Sequence, residues 1–321
     1  MTGRSADEAP HAVAVEPAEA ATSLSTRAAD AAAGSAVAAM TQVGRRRKRL
    51  GWFFWGCAGW VAVNVLAAAL ANVLPIQSPL TQSAAVNTGP SAAHWLGTDD
   101  LGRDIFARIV YGSRVSLEVG FGAIAIGLLL GGTLGMLSAY RRGAVDAVVN
   151  AASYVLLAFP ALVAVIALVT FWGHDLWKII LVIGIASAPL LFRIIRAATL
   201  SYATRDFVTA ARTLGATDRR IVTRELLPNI LPATVSFSLI GVATVIVLEG
   251  TLAFLGLSVP PPTPSWGNML NESLQGLNST PGVSNPWLVL FPAVAMFLFL
   301  LAINLVGDRL RQHFDVAEGN L

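Results

Sequence analysis

The chain has 321 residues, 55% of them hydrophobic and only 13% charged, with a mean hydropathy of +0.64 and a formal net charge of +3. Soluble domains carry about a quarter charged residues, so this composition describes a membrane protein. One cysteine, Cys57, excludes an internal disulfide framework and a thiolate metal site, and His11, His94, His174 and His313 are scattered without ligand spacing.

Residues 1–44 are rich in Ala, Ser, Thr, Glu and Asp and poor in large apolar side chains. Such a segment cannot bury enough surface to offset its ordering entropy, so it reads as a disordered cytoplasmic extension. A charged cluster and apolar run that start only near residue 45 are too late for a signal peptide. Arg45-Arg46-Arg47-Lys48-Arg49 then abuts the apolar run Trp52–Leu74. The run is long enough to cross a bilayer, and the basic cluster holds its start inside. A cluster joined to a span belongs to the membrane surface rather than to nucleic acid. Residues 45–75 are thus a basic anchor and first span.

Residues 76–115 form a polar excursion in which Asp99, Asp100 and Asp104 balance Arg103, Arg108 and Arg114. Ile105 and Ile109 share a helical face, which predicts a short interfacial helix. No histidine or third acid is spaced to turn Asp99 and Asp100 into a metal site or catalytic dyad. Residues 116–308 carry five further apolar runs: Leu117–Ala139, Val148–Trp172 with a kink at Pro160, Leu176–Ile195 containing Pro189, Leu231–Leu257 and Trp287–Val306. Gly127, Gly131 and Gly135 line one face of the second span, permitting close helix approach, for packing or for motion. Glu249 lies inside the fifth span. A membrane acid is costly and faces protein or a water-filled path, so Glu249 is a pathway candidate beside the alternative of a structural hydrogen bond. Residues 258–286 contain no Lys or Arg, and residues 309–321 form a tail.

Between the fourth and fifth spans lies Tyr202–Pro232, a polar, arginine-rich stretch. Phe207, Ala210, Ala211 and Leu214 recur at i, i+3, i+4, i+7, one face of a short amphipathic helix. Gly215 follows where a left-handed C-cap is wanted. Thr217 is placed to N-cap a second short helix, and Leu227-Pro228 marks entry into the next span. With six spans and the N-terminus inside, residues 45–49, 141–142, 196–224 and 309–311 fall inside with most of the positive charge. Residues 75–115 and 258–286 fall outside.

Three segments carry a family resemblance. Thr209-Ala210-Ala211, Gly215 and Leu227-Pro228 resemble the "EAA" loop of bacterial ABC importer permeases, with Thr209 in place of the usual Glu and Glu225 where an aliphatic residue is commoner. His94 to Arg114 reads HWLGTDDLGRDIFARIVYGSR and resembles the signature of the C-type permease subunit of dipeptide, oligopeptide and nickel importers. Thr251 to Leu270 (TLAFLGLSVPPPTPSWGNML) resembles a second segment of that family, and Asn304 to Arg311 its C-terminal signature, with Val316 where its proline would stand.

The resemblance implies an all-α integral membrane protein of about six spans with type I importer architecture. It implies a heterodimer with a second homologous permease, two ATP-binding subunits or one fused ATPase holding ATP and Mg, and an extracytoplasmic substrate-binding protein. Lipid surrounds the spans, and no nucleic acid is implied. The loop would be the coupling helix: Phe207, Ala210, Ala211 and Leu214 the docking face, Gly215 the turn, and Leu227-Pro228 the junction. The location would be the bacterial plasma membrane with both termini cytoplasmic.

The residues agree with a transport subunit that is not itself an enzyme. The only lysines are Lys48 and Lys178, with no phosphate-loop glycines before either. The substrate class stays open between peptide, nickel chelate and another small solute, with peptide the commoner family member. An ion-coupled secondary transporter is the alternative from another class; it would need ion-coupling groups in several spans, and Glu118 and Glu249 alone lie near membrane depth. A membrane enzyme or scaffold is the third, and it lacks a catalytic cluster.

Overall fold

The structure, a computed structural model, describes residues 51–279 and 285–318. The expectations for the extension 1–44 and the basic run 45–49 lie outside the described residues. Among the described residues there is no strand; two isolated bridges, Gln82 with Arg103 and Thr98 with Asp104, tie the first polar excursion together.

Helix α1 spans Trp52–Leu70. Helix α2 spans Ile105–Gly127, passes through a π-wound turn at Leu128–Gly132, and continues as α3, Thr133–Arg141. Asp104 starts α2 from extended backbone, its carboxylate accepting the Ala107 N–H at 2.8 Å. The interfacial helix expected at Ile105–Ile109 is therefore not a separate element. Nothing between Ile105 and Leu117 breaks the helix, and Gly112 serves instead as a flat spot against the Ser265 backbone.

The third apolar run is not one kinked helix but two helices. Helices α4, Gly143–Ala158, and α5, Ala161–Trp172, meet at 86°. Pro160 has no N–H to continue the ladder and drives Phe159 to extended backbone, ψ 136°. Helix α6, Leu176–Ala203, runs two turns beyond the expected end of the fourth span.

Helix α7 covers Asp206–Thr213 and the single turn α8 Asp218–Arg220. A second π-wound turn, Ile221–Leu226, leads into α9, Leu227–Phe254. Asp218–Phe254 is thus one continuous 37-residue helix. Leu227-Pro228 sits inside its course rather than opening it. Pro228 lacks the N–H that would bond the Arg224 carbonyl, and the helix is π-wound over the six residues before Leu227. Helix α10 spans Trp266–Ser279 and α11 spans Trp287–Glu318.

Among the described residues five helical stretches are long and apolar enough to cross a membrane, six if the bent α4–α5 pair is counted as one span. Helix α6 is central: it packs against α2, α3, α4, α5 and α9. Val119, Ala123, Val242, Ile246, Trp266 and Phe299 are buried in one core with its Ile179, Val182 and Ile183. Lipid tails are as apolar as leucine, so close packing rather than water exclusion holds such spans together. Gly131 and Gly135 supply that closeness. A Cβ on Gly131 would collide with the Ala188 carbonyl, and one on Gly135 would lie 2.7 Å from the Phe192 carbonyl oxygen.

Candidate functional site

The loop between α6 and α9 is built around a small apolar cluster of its own. Ile195, Tyr202, Val208, Ile221, Leu226 and Ile230 are buried together, with Phe207 and Ala211 half-buried against them. Val208, absent from the predicted stripe, is thus the residue of α7 that anchors the loop. Phe207 and Ala211 lean toward the cluster, whereas Ala210, Leu214, Leu227 and Pro228 are exposed, Leu214 at 87%.

The turn after α7 is a Schellman motif. The Gly215 N–H bonds the Arg212 carbonyl and the Ala216 N–H bonds the Ala211 carbonyl, both at 3.0 Å. Gly215 has φ +81° and open space where a Cβ would stand. The requirement for glycine there is conformational, not steric. Thr217 takes the N-cap position in extended backbone, but its side chain makes no cap hydrogen bond.

Two polar contacts fix this loop to the spans. The Tyr140 hydroxyl, at the end of α3, donates to Asp218 at 2.6 Å and accepts from Arg212 at 3.3 Å. The Arg212 guanidinium also lies over the Tyr140 ring, 5.8 Å from its centroid. One phenol therefore holds the last turn of α7 and the first turn of α8 at once. Nearby, Arg196 of α6 grips Asp146 of α4 through two 2.6 Å bonds, the fork geometry that suits guanidinium and carboxylate. These contacts tie α3 to the loop and α6 to the start of α4.

At the opposite end, the segment 94–108 is locked by charge. Asp99 accepts the Leu101 and Arg103 N–H groups through Oδ1, and Arg103 Nε (2.7 Å) and Arg108 Nη1 (2.6 Å) through Oδ2. Both Nη2 groups then reach Glu272 Oε2 of α10 at 2.9 Å. His94 Nδ1 meets Asp104 at 2.9 Å. Asp99 is thus consumed by backbone and arginine contacts.

Glu249 of α9 is fully buried and enclosed by hydroxyls. Ser258 and Ser265 donate to Oε1 at 2.6 and 2.9 Å, and Ser116 donates to Oε2 at 3.4 Å. Ser116 in turn accepts the Trp266 N–H, and Ser265 the Asn268 N–H. The carboxylate joins α2, α9 and the start of α10. Tyr140, Glu272 and the three serines are the functional partners that sequence reasoning missed. The signal for Glu272 was available: an acid in a stretch free of Lys and Arg must take its cation from elsewhere.

A bundle of spans, an exposed clamped loop at one end and a charge-locked cap at the other define a multi-pass membrane transport subunit. The family model for the binding-protein-dependent transport system inner membrane component matches residues 131–317, and the chain belongs to that family. The dipeptide transport system permease protein DppC of Alkalihalophilus pseudofirmus is 40% identical over 227 residues, covering 71% of this chain and 73% of the relative. The glutathione transport system permease protein GsiD of Pectobacterium atrosepticum is 39% identical over 230 residues, covering 72% and 75%. Among solved structures, a chain of the MetNI methionine ABC transporter in an inward-facing conformation superposes with a TM-score of 0.52 at 21% identity, covering 65% of this chain and 97% of that one. That likeness shows the fold, the type I ABC importer permease architecture expected from the sequence.

Proposed function

We propose that this chain forms half of the translocation pathway of an ATP-driven importer of di- or oligopeptides. Its relatives are named for a dipeptide and for glutathione, itself a tripeptide, which supports a peptide substrate. The pathway is completed by a second, homologous permease. Two ATP-binding subunits, or one fused ATPase, carry ATP and Mg, and an extracytoplasmic binding protein delivers the substrate. The chain sits in the bacterial plasma membrane with both termini and the Tyr202–Pro228 loop cytoplasmic.

The observation that carries this reading is the clamp of Tyr140 on Arg212 and Asp218. It makes α7 and its Schellman turn a rigid lever on the end of the second and fifth spans. Ala210, Leu214, Gly215, Leu227 and Pro228 present the exposed face, and Phe207 and Ala211 back it from the cluster beneath. ATP binding closes the partner subunits, the lever follows, and the spans change which end is open. ATP biases that equilibrium only through its unequal affinity for the two states.

The test is mild-detergent purification of the tagged chain with identification of its companions. An ATP-binding subunit and a second permease are expected, with peptide uptake into vesicles that stops when ATP is withheld. A chain that comes out alone and moves peptide without ATP would sink the reading.

A further inference from the structure

Two apolar cores lie along the spans. The larger takes in Ile124 of α2, Val169 of α5, Leu191 of α6 and Val242 of α9. The smaller is the loop cluster, which holds Ile195 of α6 and Ile230 of α9, with Met136 of α3 packed on it. Leu128 packs against both. Among the described residues the chain passes between the two cores four times, and each passage carries a break in the helical ladder. Helix α2 becomes α3 through the π turn Leu128–Gly132. Helix α4, tied to the loop end of α6 by Asp146 and Arg196, meets α5 at the 86° bend of Phe159-Pro160. Helix α6 carries Pro189 two residues before Leu191, so the Ile185 carbonyl has no ladder donor. Helix α9 carries Pro232 two residues after Ile230, so the Pro228 carbonyl has none.

Three of these breaks lie in one layer, and the fourth begins beside it. Gly131, in the π turn, is laid against Ala188 and Phe192, on either side of Pro189. Ser153 of α4 donates to the Pro189 carbonyl at 3.3 Å, six residues before Phe159. Gly241 of α9 meets Ile124 of α2. Nine residues toward the loop from that contact stand Pro232 on one helix and Thr133, beside the π turn, on the other. The strong polar ties fall on one side of the layer or the other. Tyr140 with Asp218 and Arg196 with Asp146 lie on the loop side. Asp99 with Arg103 and Glu272, and Glu249 with its serines, lie on the far side. Prolines and π turns are where helices bend.

We propose that this layer is a hinge inside the subunit. The loop cluster, with α3, α4, the later part of α6 and the start of α9, turns as one body against the larger core. The bending is taken up at Leu128–Gly132, Phe159-Pro160, Pro189 and Pro232, where fewer ladder bonds resist it. Arg141 ends α3 nine residues past the π turn, about 14 Å along the axis, so roughly 10° of bend carries it about 2.5 Å. Motion of the loop is thereby absorbed within the spans rather than by rotation of the whole subunit. The hinge follows from the packing of this chain and does not depend on the peptide or ATP reading.

The test measures spin-label distances in the full chain in lipid nanodiscs, with Cys57→Ala removing the native thiol. Labels at Val145→Cys and Leu214→Cys report on the loop body, and labels at Phe121→Cys and Phe171→Cys on the larger one; all four positions are exposed. Distances within each body are expected to be narrowly distributed. Distances across the layer, from 214 to 171 and from 145 to 121, are expected to spread about twice as broadly. Pro189→Ala with Pro232→Ala returns the two missing N–H groups. It should narrow the spread across the layer and leave the distances within each body unchanged. Distances across the layer as narrow as those within the bodies, with both prolines in place, would overturn the proposal and leave four fixed kinks. So would a broad spread that the double variant fails to narrow while its distances within each body are intact. The comparison with both prolines in place decides the matter even where the double variant does not insert. No readout involves uptake or ATP hydrolysis, so failure here is distinct from failure of the transport reading.

Discussion

The Tyr140 hydroxyl donates a 2.6 Å hydrogen bond to Asp218, 78 positions further along the chain. The contact joins the end of the second membrane helix to the start of the helix that becomes the fifth. Tyr140→Phe keeps the ring under Arg212 and removes only the hydroxyl. A single hydrogen bond of this kind contributes about 1 kcal/mol net, too little to unfold the bundle. The expected outcome is normal insertion with a raised number of ATP molecules hydrolysed per substrate moved, measured in the reconstituted complex. An unchanged ratio in both Tyr140→Phe and Asp218→Asn would remove the clamp from the mechanism.

Gly215 permits a graded test of the lever. Its φ of +81° costs a residue with a Cβ about 1–2 kcal/mol, while the space around it is open. Gly215→Ala therefore tests backbone conformation alone, and Gly215→Glu adds bulk and charge to the exposed surface. Both are expected to leave membrane insertion intact. Recovery of the ATP-binding subunit with the chain should fall modestly for Gly215→Ala and steeply for Gly215→Glu. Normal uptake by a well-expressed Gly215→Glu chain would count against docking at this turn.

The loop was legible in outline because its signals are local. A 3.6-residue apolar period and a glycine after it fix α7 and its turn whatever surrounds them. What the pattern does not carry is which side of α7 faces the bundle. Val208 is buried because Ile221, Leu226 and Ile230 lie beside it, and they arrive only when Asp218–Phe254 folds as one helix. The break at Phe159-Pro160 is likewise only partly legible in the sequence. Proline announces a bend, but whether it is a kink or an 86° turn depends on what packs around the two halves. Glu249 was visible as an anomaly in an apolar run; its serines, up to 133 positions away, were not.

Glu272 gives a third prediction. Its Oε2 accepts from both Arg103 and Arg108, and if it were lost two nearly buried guanidinium groups would be left with Asp99 and, for Arg103, the more distant Asp100. Breaking an exposed pair costs about 0–1 kcal/mol and breaking a buried one about 3–5. Glu272 is 26% exposed on its side chain, so Glu272→Gln should fall between. Thermal unfolding of the purified chain should drop by several degrees, and pairing Glu272→Gln with Arg108→Met should recover part of the loss. A double variant as unstable as the sum of the two would show that the residues do not act together.

Asp100 is adjacent to Asp99. Burial, and then the Asp99 carboxylate, hold its carboxyl above the usual carboxylate range, while Arg103 at 3.9 Å pulls it down. A carboxyl raised on folding contributes its stability below the unfolded value and loses it as pH rises through the folded value. Asp100→Asn should therefore match the unaltered chain in acid and exceed it in stability above the carboxylate range. The measurement is the unfolding midpoint across pH 3 to about 8. A constant offset at every pH would show that the effect is not titration of Asp100.

Glu249 separates structure from pathway. Ser116 and Ser265 each accept a backbone N–H, from Trp266 and Asn268, which directs their protons toward the carboxylate. Ser258 donates to it as well. Glutamine has the shape of glutamate but one carbonyl oxygen for three donors, and its amide N–H groups meet hydroxyls already oriented to give. Glu249→Gln is expected to cost about 1–3 kcal/mol, the range for leaving a buried polar group unsatisfied. Glu249→Leu should cost more, since all three hydroxyls lose their acceptor. Hydrogen exchange at residues 255–268 should rise in that order, and uptake should fall in step with it. Loss of uptake by Glu249→Gln with unchanged exchange there would mean that the carboxylate acts on the substrate path rather than as the joint between α2, α9 and α10.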